Sequence, residues 1–524
     1  MSEWWQCRDG GPLGAKDAAF GEMGGVCSTR LPVPVSAVPY YPANTPVQPP
    51  PAAPPPACEG HTALGGPVAP VASAGGATLV RRALITVAAG IVLWLTLPGF
   101  ISSLRPPEGM ILDFFKEWAS ARNVREGKPA YTNQRVTAER YLGIRAADLR
   151  GYFEDYNAHP PAAILLALPF AGLSYPTAQF VWNLASLAAL LVALAVIGCE
   201  LHIAWPAWAW LPAAAALMLC DPFRQTVIQG QLNFVLLLLI TLAWRFDRRQ
   251  APWWVGTCLG AATAIKLFPG FLFLYCLMQK RWTALISGAL TFLAVSALTT
   301  TLLGQEAWAD YLHKSLPALA AMCDAWGNVS VDAFFARLFD AHSQYVEPLL
   351  HAPMLRWSGR IAGIAAVVTT CGWVSARAQS PAARDCAFAA SLVAMLLASP
   401  IAWHHYFVLL FLPLVLVARA ARGSAGRRRQ ALAVAVAVAA ALMLSPRIVW
   451  AAVARLFPEF VKPLANAASG EAVSGWKLSS VAARPAFSLT ALSYQFYALV
   501  ILFIVLTVLA RRYDDMRATN TGAA

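Results

Sequence analysis

The chain is 524 residues long, 58% hydrophobic and only 13% charged. An ordinary soluble domain carries roughly 25% charged residues, so this composition excludes a water-soluble globule. The net charge of +13 does not mark a nucleic-acid binder. Its Lys and Arg gather at the ends of apolar stretches, at Arg81-Arg82, Arg245/Arg248/Arg249, Lys280-Arg281, Arg427-Arg428-Arg429 and Arg511-Arg512, as the positive-inside rule expects at cytoplasmic boundaries.

Residues 1–80 differ from everything after them. They hold Pro49-Pro50-Pro51 and Pro54-Pro55-Pro56, a composition that favours extended, mobile chain, and are expected to form a disordered cytoplasmic tail. From residue 81 to 512 apolar stretches recur at the length needed to cross a bilayer, about 20 residues. The expected fold is therefore an all-α polytopic membrane domain, closed by a short cytoplasmic tail over 513–524. Trp244, Trp253, Trp254, Trp282 and Trp450 stand at span ends, as in an interfacial belt. The ten Cys form no CxxC pair, and neither a disulfide framework nor a metal site is readable.

The first span runs over about 82–104. With Arg81-Arg82 held in the cytoplasm, residues 105–158 become a long first extracytoplasmic loop. Further spans are expected near 160–174, 176–199, 205–220, 231–244, 253–279, 283–303, 356–376, 386–400, 402–420, 430–450 and 489–510. That makes about twelve, with both termini cytoplasmic, in a multi-pass protein of the cell (inner) membrane. If 205–220 and 231–244 both cross fully, however, Arg245 to Arg249 fall outside. The favoured resolution is a single crossing over 205–244 with a re-entrant piece, and two short helices over 253–279 broken at Pro269-Gly270. Two other polar segments, 304–355 and 451–488, face outside on this count.

Asp113 lies just beyond the first span, in Ile111-Leu112-Asp113-Phe114-Phe115-Lys116-Glu117-Trp118. A carboxylate at the membrane boundary can take a proton from a hydroxyl arriving from outside. It is equally the residue that favours a helix start. Glu117, one turn on, reads as a helper or as a solvated charge. Tyr156 and His159, in Tyr156-Asn157-Ala158-His159-Pro160-Pro161, line a cavity, with capping of the next helix the alternative for His159.

The polar run from Asp221 to Asn233, with Arg224, Gln231 and Asn233, interrupts apolar sequence. Within a bilayer such backbone is tolerated where it lines a cavity or is buried in protein. Lys266 is an isolated charge in an apolar stretch, which costs about 2.5–3.5 kcal/mol on insertion scales. It either holds a phosphate or snorkels to the interface. His404 and His405, in Ser399-Pro400-Ile401-Ala402-Trp403-His404-His405-Tyr406, suit phosphate binding or proton transfer, with metal ligation the weakest of the three.

In order and spacing these segments resemble glycosyltransferase family 87, the polyprenyl-phosphate-mannose-dependent mannosyltransferases of the GT-C fold superfamily. The resemblance rests on Asp113, Gly127-Lys128-Pro129-Ala130-Tyr131, Asn157 to Pro161, Gly230-Gln231-Leu232-Asn233, Lys266-Leu267-Phe268-Pro269, Asn328-Val329-Ser330 and Ser399 to Tyr406. It implies a GT-C-like fold of about 12 transmembrane helices. It also implies transfer of a hexose, mannose, from a polyprenyl-phosphate sugar donor to a glycolipid or glycan acceptor on the extracytoplasmic face, with inversion and without a cofactor. On this resemblance Asp113 is the general base, and His405, with His404, serves the donor phosphate or proton relay. Lys266 and Arg224 are the further candidates for meeting the phosphate's charge; Gln231, Asn233, His159 and Tyr156 complete the substrate-binding set. The Pro-rich tail and the length of 135–155 depart from the family pattern and leave the acceptor open. The rival reading is a polytopic transporter or lipid flippase, favoured by the broken stretch around Lys266.

Overall fold

The computed structural model describes residues 74–145, 155–423, 428–464 and 481–522. The expected disordered tail thus lies, through residue 73, outside the described residues. The described chain is helical almost throughout, with one two-stranded antiparallel sheet pairing Val461–Pro463 with Val481–Ala483. That is what a bilayer imposes, because a helix satisfies its own backbone where no water can.

Seven helices are long and apolar enough to cross a membrane: Thr78–Ser103, Tyr175–Glu200, Trp282–Leu303, Pro353–Arg377, Pro381–Ala398, His404–Ala421 and Pro485–Met516. Two bent pairs raise this to nine, Asp221–Gln229 with Asn233–Arg248 (119°) and Val434–Met443 with Pro446–Leu456 (94°). Three further apolar helices, Pro161–Phe170, Ala207–Leu219 and Phe268–Met278, are shorter. The chain is an all-α polytopic membrane protein. The first span exposes Leu84, Ile91, Trp94 and Leu95, whereas Pro381–Ala398 is buried along most of its length. Lipid covers the former and protein the latter.

The expected span at 160–174 is not one. His159, just before this helix, meets Glu117, and at its far end the Leu173 carbonyl accepts a bond from Trp118 Nε1 (3.2 Å). Both ends therefore meet the same short helix, Asp113–Arg125. Ten residues of helix measure about 15 Å, half the hydrocarbon thickness. Removing this crossing also removes the parity conflict. Ala207–Leu219 and Asn233–Arg248 can then both run between faces without displacing the arginines.

Helix ends sort into two faces. At one, Glu200 pairs with Arg245, Arg248 and Arg249 (3.0–3.5 Å). Arg248 also pairs with Asp385, and Arg281 with Asp247 (3.1 Å). Gln279 donates to the Ala378 carbonyl (3.0 Å), and Asp514 accepts from the Gln379 and Ser380 amides (2.8–3.2 Å). The arginines of 245–249 thus share a face with Lys280-Arg281, as the sequence expects, and also with Arg384. The opposite face carries Asp113, Gln231, Lys266, Asn328 and His404.

The break expected at Pro269-Gly270 falls three residues earlier. The Pro252–Ile265 helix ends at Lys266, which is extended (φ −141°, ψ 138°), and a 3-10 turn follows over Phe268–Leu272. Pro269 lacks the N–H that would continue the ladder and disfavours helical geometry in the residue before it, so the helix stops upstream of the proline.

Candidate active site

Asp113 opens the helix Asp113–Arg125, after Leu112 as a cap that gives no side-chain bond. The helix-start reading and the reactive reading therefore meet in one residue. Aromatic packing fixes its position. Phe114 stacks on Trp182 (5.4 Å), Phe115 meets Tyr175 edge-on (5.2 Å), and the Tyr175 hydroxyl accepts from the Leu112 amide (2.9 Å). One carboxylate oxygen faces Lys116 Nζ at 3.2 Å, and the other accepts from the Gln231 side-chain amide. The Asp113 side chain is 25% exposed and Lys116 only 6%, so the carboxylate is the open member of the pair. Burial pushes the Asp113 carboxyl up, yet Lys116, with the charged forms of His405 and His159, holds it below the usual carboxylate range.

Gln231 reaches Asp113 because Gly230 ends the Asp221–Gln229 helix in the left-handed region (φ 65°). A Cβ at Gly230 would also lie 2.6 Å from Phe114 Cβ, so the turn needs glycine twice over. On its other side Gln231 meets Lys266. The Lys266 ammonium donates to Gln231 Oε1 (3.0 Å) and Asn233 Oδ1 (3.3 Å) and lies 4.6 Å above the Tyr406 ring. Only 3% exposed, it does not snorkel. Asn233 then donates to the His405 carbonyl (3.2 Å), as does Thr226 (3.3 Å). A continuous polar path joins Asp113 to the His404-His405 segment. His405 is buried, and its Nε2 has no hydrogen-bond partner among the described residues.

His404 Nε2 lies 3.6 Å from Asp221 Oδ2. Arg447 acts electrostatically on both residues, and Tyr494 feels Asp221. The sequence reading did not single out Asp221, Arg447 or Tyr494. A signal was available for Arg447, a lone charge in Ser445-Pro446-Arg447 directly after an apolar run. Nothing local marks Tyr494.

The His404-His405 segment is held by a loop from elsewhere in the chain. Asn328 Oδ1 accepts from the Ala402 amide (3.0 Å) and its Nδ2 donates to the Pro400 carbonyl (3.0 Å), while Asn328 and Trp403 form an antiparallel bridge. Arg337, fully buried, donates to the Asn328 carbonyl (2.6 Å).

Glu117 is not a solvated charge. It is 2% exposed and its carboxylate contacts His159 Nδ1. His159 thus joins the site, and it acts electrostatically on Asp113. Two expected members stand apart. The Tyr156 ring lies under Lys314 Nζ (5.8 Å), and Arg224 is half-buried on its helix, with no ion pair to the Asp113 group among the described residues. Among the described residues, no group of three His, Cys, Asp or Glu is placed to hold a metal ion.

Residues 157–400 match the model of glycosyltransferase family 87, which bears out the resemblance read from the motifs. The chain is similar to a polyprenol-phosphate-mannose-dependent alpha-(1-2)-phosphatidylinositol mannoside mannosyltransferase of Mycobacterium tuberculosis, 27% identical over 276 residues, 49% of this chain and 61% of the relative. The enzyme of the same description from Mycolicibacterium smegmatis is 27% identical over 284 residues, 50% of this chain and 61% of the relative. An alpha-(1->3)-arabinofuranosyltransferase of Corynebacterium glutamicum is 25% identical over 214 residues, 40% of this chain and 47% of the relative. The chain thus spans about three fifths of the length of the first two relatives. No solved structure matches.

Proposed function

We propose that this chain is a membrane glycosyltransferase that moves mannose from a polyprenyl-phosphate donor to a glycolipid acceptor. The observation that carries this is the placement of Asp113. It is an ionised, partly open carboxylate at one face of a helix bundle, linked through Gln231 to the buried cation Lys266. A transferase needs that pairing: a base where the acceptor hydroxyl arrives, and fixed positive or hydrogen-bonding groups where the phosphate leaves. The named relatives, which use polyprenol-phosphate-mannose, supply the donor class.

In this mechanism Asp113 removes the acceptor hydroxyl proton as that oxygen bonds to the anomeric carbon. The phosphate departs from the opposite side with the bonding electrons, which inverts the centre. His405, whose Nε2 has no partner among the described residues, and His404 beside Asp221 and Arg447 meet the phosphate charge. Lys266 acts through Gln231 and Asn233. The fold is GT-C-like, with about twelve passes, once Ala207–Leu219, Pro252–Ile265 and Phe268–Met278 are counted as short crossings beside the nine spans and bent pairs. The basic face is cytoplasmic with both termini, and the Asp113 face is extracytoplasmic, in the cell (inner) membrane. A transporter reading draws on one feature, the buried Lys266 at a helix break.

The test uses purified full-length chain in lipid nanodiscs. Polyprenyl-phosphate-mannose and polyprenyl-phosphate-arabinose serve as alternative donors and phosphatidylinositol mannosides as acceptors. Mannosyl transfer by wild type and its loss in folded Asp113→Asn is the expected result. Transfer that survives the substitution moves the base elsewhere. Preference for arabinose changes the sugar, and absence of transfer from either donor favours the transporter.

A further inference from the structure

Asp113 is surrounded by donors. Lys116 offers an ammonium and Gln231 an amide N–H, and neither can receive the proton that a base acquires in turnover. A protein acceptor for that proton, in place of water at the open edge of Asp113, comes from another element.

His159 stands within electrostatic reach of Asp113, and it is unusually well held. Its carbonyl accepts from the Tyr131 hydroxyl (2.6 Å), and its amide donates to Asn157 Oδ1 (3.0 Å). Asn157 Nδ2 donates to Ser120 Oγ (3.2 Å). Ser120 lies one turn beyond Glu117, on the helix that Asp113 begins. The 157–159 turn is therefore clamped to one helix side at Glu117 and at Ser120.

Asp113 and Glu117 are four residues apart and share a helix face. Glu117 is 2% exposed, and a buried carboxylate is tolerated only with a partner. That partner is His159 Nδ1. A carboxylate at Nδ1 selects the tautomer with its proton there and leaves the Nε2 lone pair as the acceptor. Around the pair stand Lys116 on the same helix, Tyr131 with Tyr311 and Asp310 behind it, and Asp113 and His405. His405, the other imidazole that feels Asp113, has no carboxylate paired with its ring among the described residues.

We propose that His159 is the proton acceptor that resets Asp113 after each transfer, and that Glu117 is the positioning residue that holds its Nδ1–H and turns Nε2 to the task. The proposal rests on the transferase reading above. The proton taken from the acceptor hydroxyl passes from the Asp113 carboxyl to His159 Nε2. The resulting imidazolium donates from Nδ1 to Glu117. The proton leaves to water at the ring's exposed edge, since the His159 side chain keeps 11% exposure, and Asp113 is again a carboxylate.

The experiment measures mannosyl transfer by wild type, Glu117→Gln and His159→Asn in nanodiscs, with kcat, both KM values and the solvent deuterium isotope effect. Each variant is expected to lose kcat by about a hundredfold, the low end for a positioned proton-transfer group. KM should be unchanged and the isotope effect should rise, because proton departure becomes limiting. A purely structural strut would lower the fraction of active protein without raising the isotope effect. Wild-type kcat in Glu117→Gln, or a loss at constant isotope effect, overturns the relay while leaving the transferase intact. Should Glu117→Gln fail to fold, His159→Asn gives the same readout. Absence of transfer by wild type overturns the transferase reading and the relay with it.

Discussion

Lys266 and Asp113 never touch, yet one side chain serves both. Gln231 accepts from the Lys266 ammonium through Oε1 (3.0 Å) and donates to the Asp113 carboxylate through Nε2. The amide is polarised from one end by a buried cation and fixed at the other on the base. Hydrogen bonds to charged groups are each worth about 1.5–3 kcal/mol, so this orientation of Gln231 dominates its alternatives.

Lys266→Met is therefore expected to act on function more than on stability. It removes a desolvated charge, which is favourable, but leaves Gln231 Oε1 and Asn233 Oδ1 without their donor, which is not. These terms oppose, and the melting temperature should move by only a few degrees. Gln231, released at one end, no longer presents its N–H to Asp113, and kcat/KM should fall at least about tenfold. Wild-type kcat/KM in the folded variant would show that Lys266 is a packing residue.

The pH profile tests Lys116. Burial alone would raise the Asp113 carboxyl, and Lys116 is the foremost of the charges that hold it down. The base is ionised above its lowered pKa, so the acid limb of wild-type kcat/KM should lie below the ordinary aspartate value of about 3.9. Lys116→Met lets burial dominate, and the limb should shift to higher pH. The same lowered carboxyl adds stability above its unfolded pKa, which is lost as pH falls through the folded one. An acid limb that stays in place in Lys116→Met would remove Lys116 from the account.

Asn328→Ala should strike the site from a distance. Asn328 accepts from the Ser330 and Ala402 amides (3.2 and 3.0 Å) and donates to the Cys323 and Pro400 carbonyls (3.2 and 3.0 Å). It is fully buried, so truncation leaves four backbone groups without that partner. At about 1–3 kcal/mol for each group left unsatisfied, and with partial relaxation, a loss of about 3 kcal/mol is expected. Transfer activity should fall as the 400–405 segment loosens. Thermal unfolding and transfer assays on one preparation decide this, and an unchanged melting temperature would contradict it.

Much of this architecture is legible in the sequence. Apolar run length announces the membrane, arginine clusters announce one face, and Asp113, Gln231, Asn233, Lys266 and His405 fall into one connected group. What failed did so for physical reasons. Residues 161–170 are apolar because they pack between helices, and composition alone cannot separate that from facing lipid. Pro269 acted on the turn before it, so the break moved to Lys266. Glu117 stays open between helper and solvated charge in the sequence because its partner lies 42 residues away, and Arg447 is brought to Asp221 by a bend of 94° that no local pattern announces.

The packing of Pro252–Ile265 on Trp282–Leu303 yields the sharpest stability contrast. A Cβ at Gly256 would lie 2.0 Å from the Ala284 carbonyl oxygen, and one at Gly260 would lie 2.4 Å from that of Gly288. Both obstacles are backbone, which cannot swing aside, and small residues four apart are what lets two membrane helices approach this closely. Gly256→Ala should therefore push the helices apart at a cost of about 1–3 kcal/mol, the usual range for overpacking. Gly99→Ala in the first span supplies the control. Nothing lies within 4 Å of that Cβ, and alanine is the better helix former by about 1 kcal/mol. Thermal melts of the two variants in the same nanodiscs should move in opposite directions, down for Gly256→Ala and level or up for Gly99→Ala. A Gly256→Ala melt equal to wild type would mean the two helices do not pack at this distance in the bilayer.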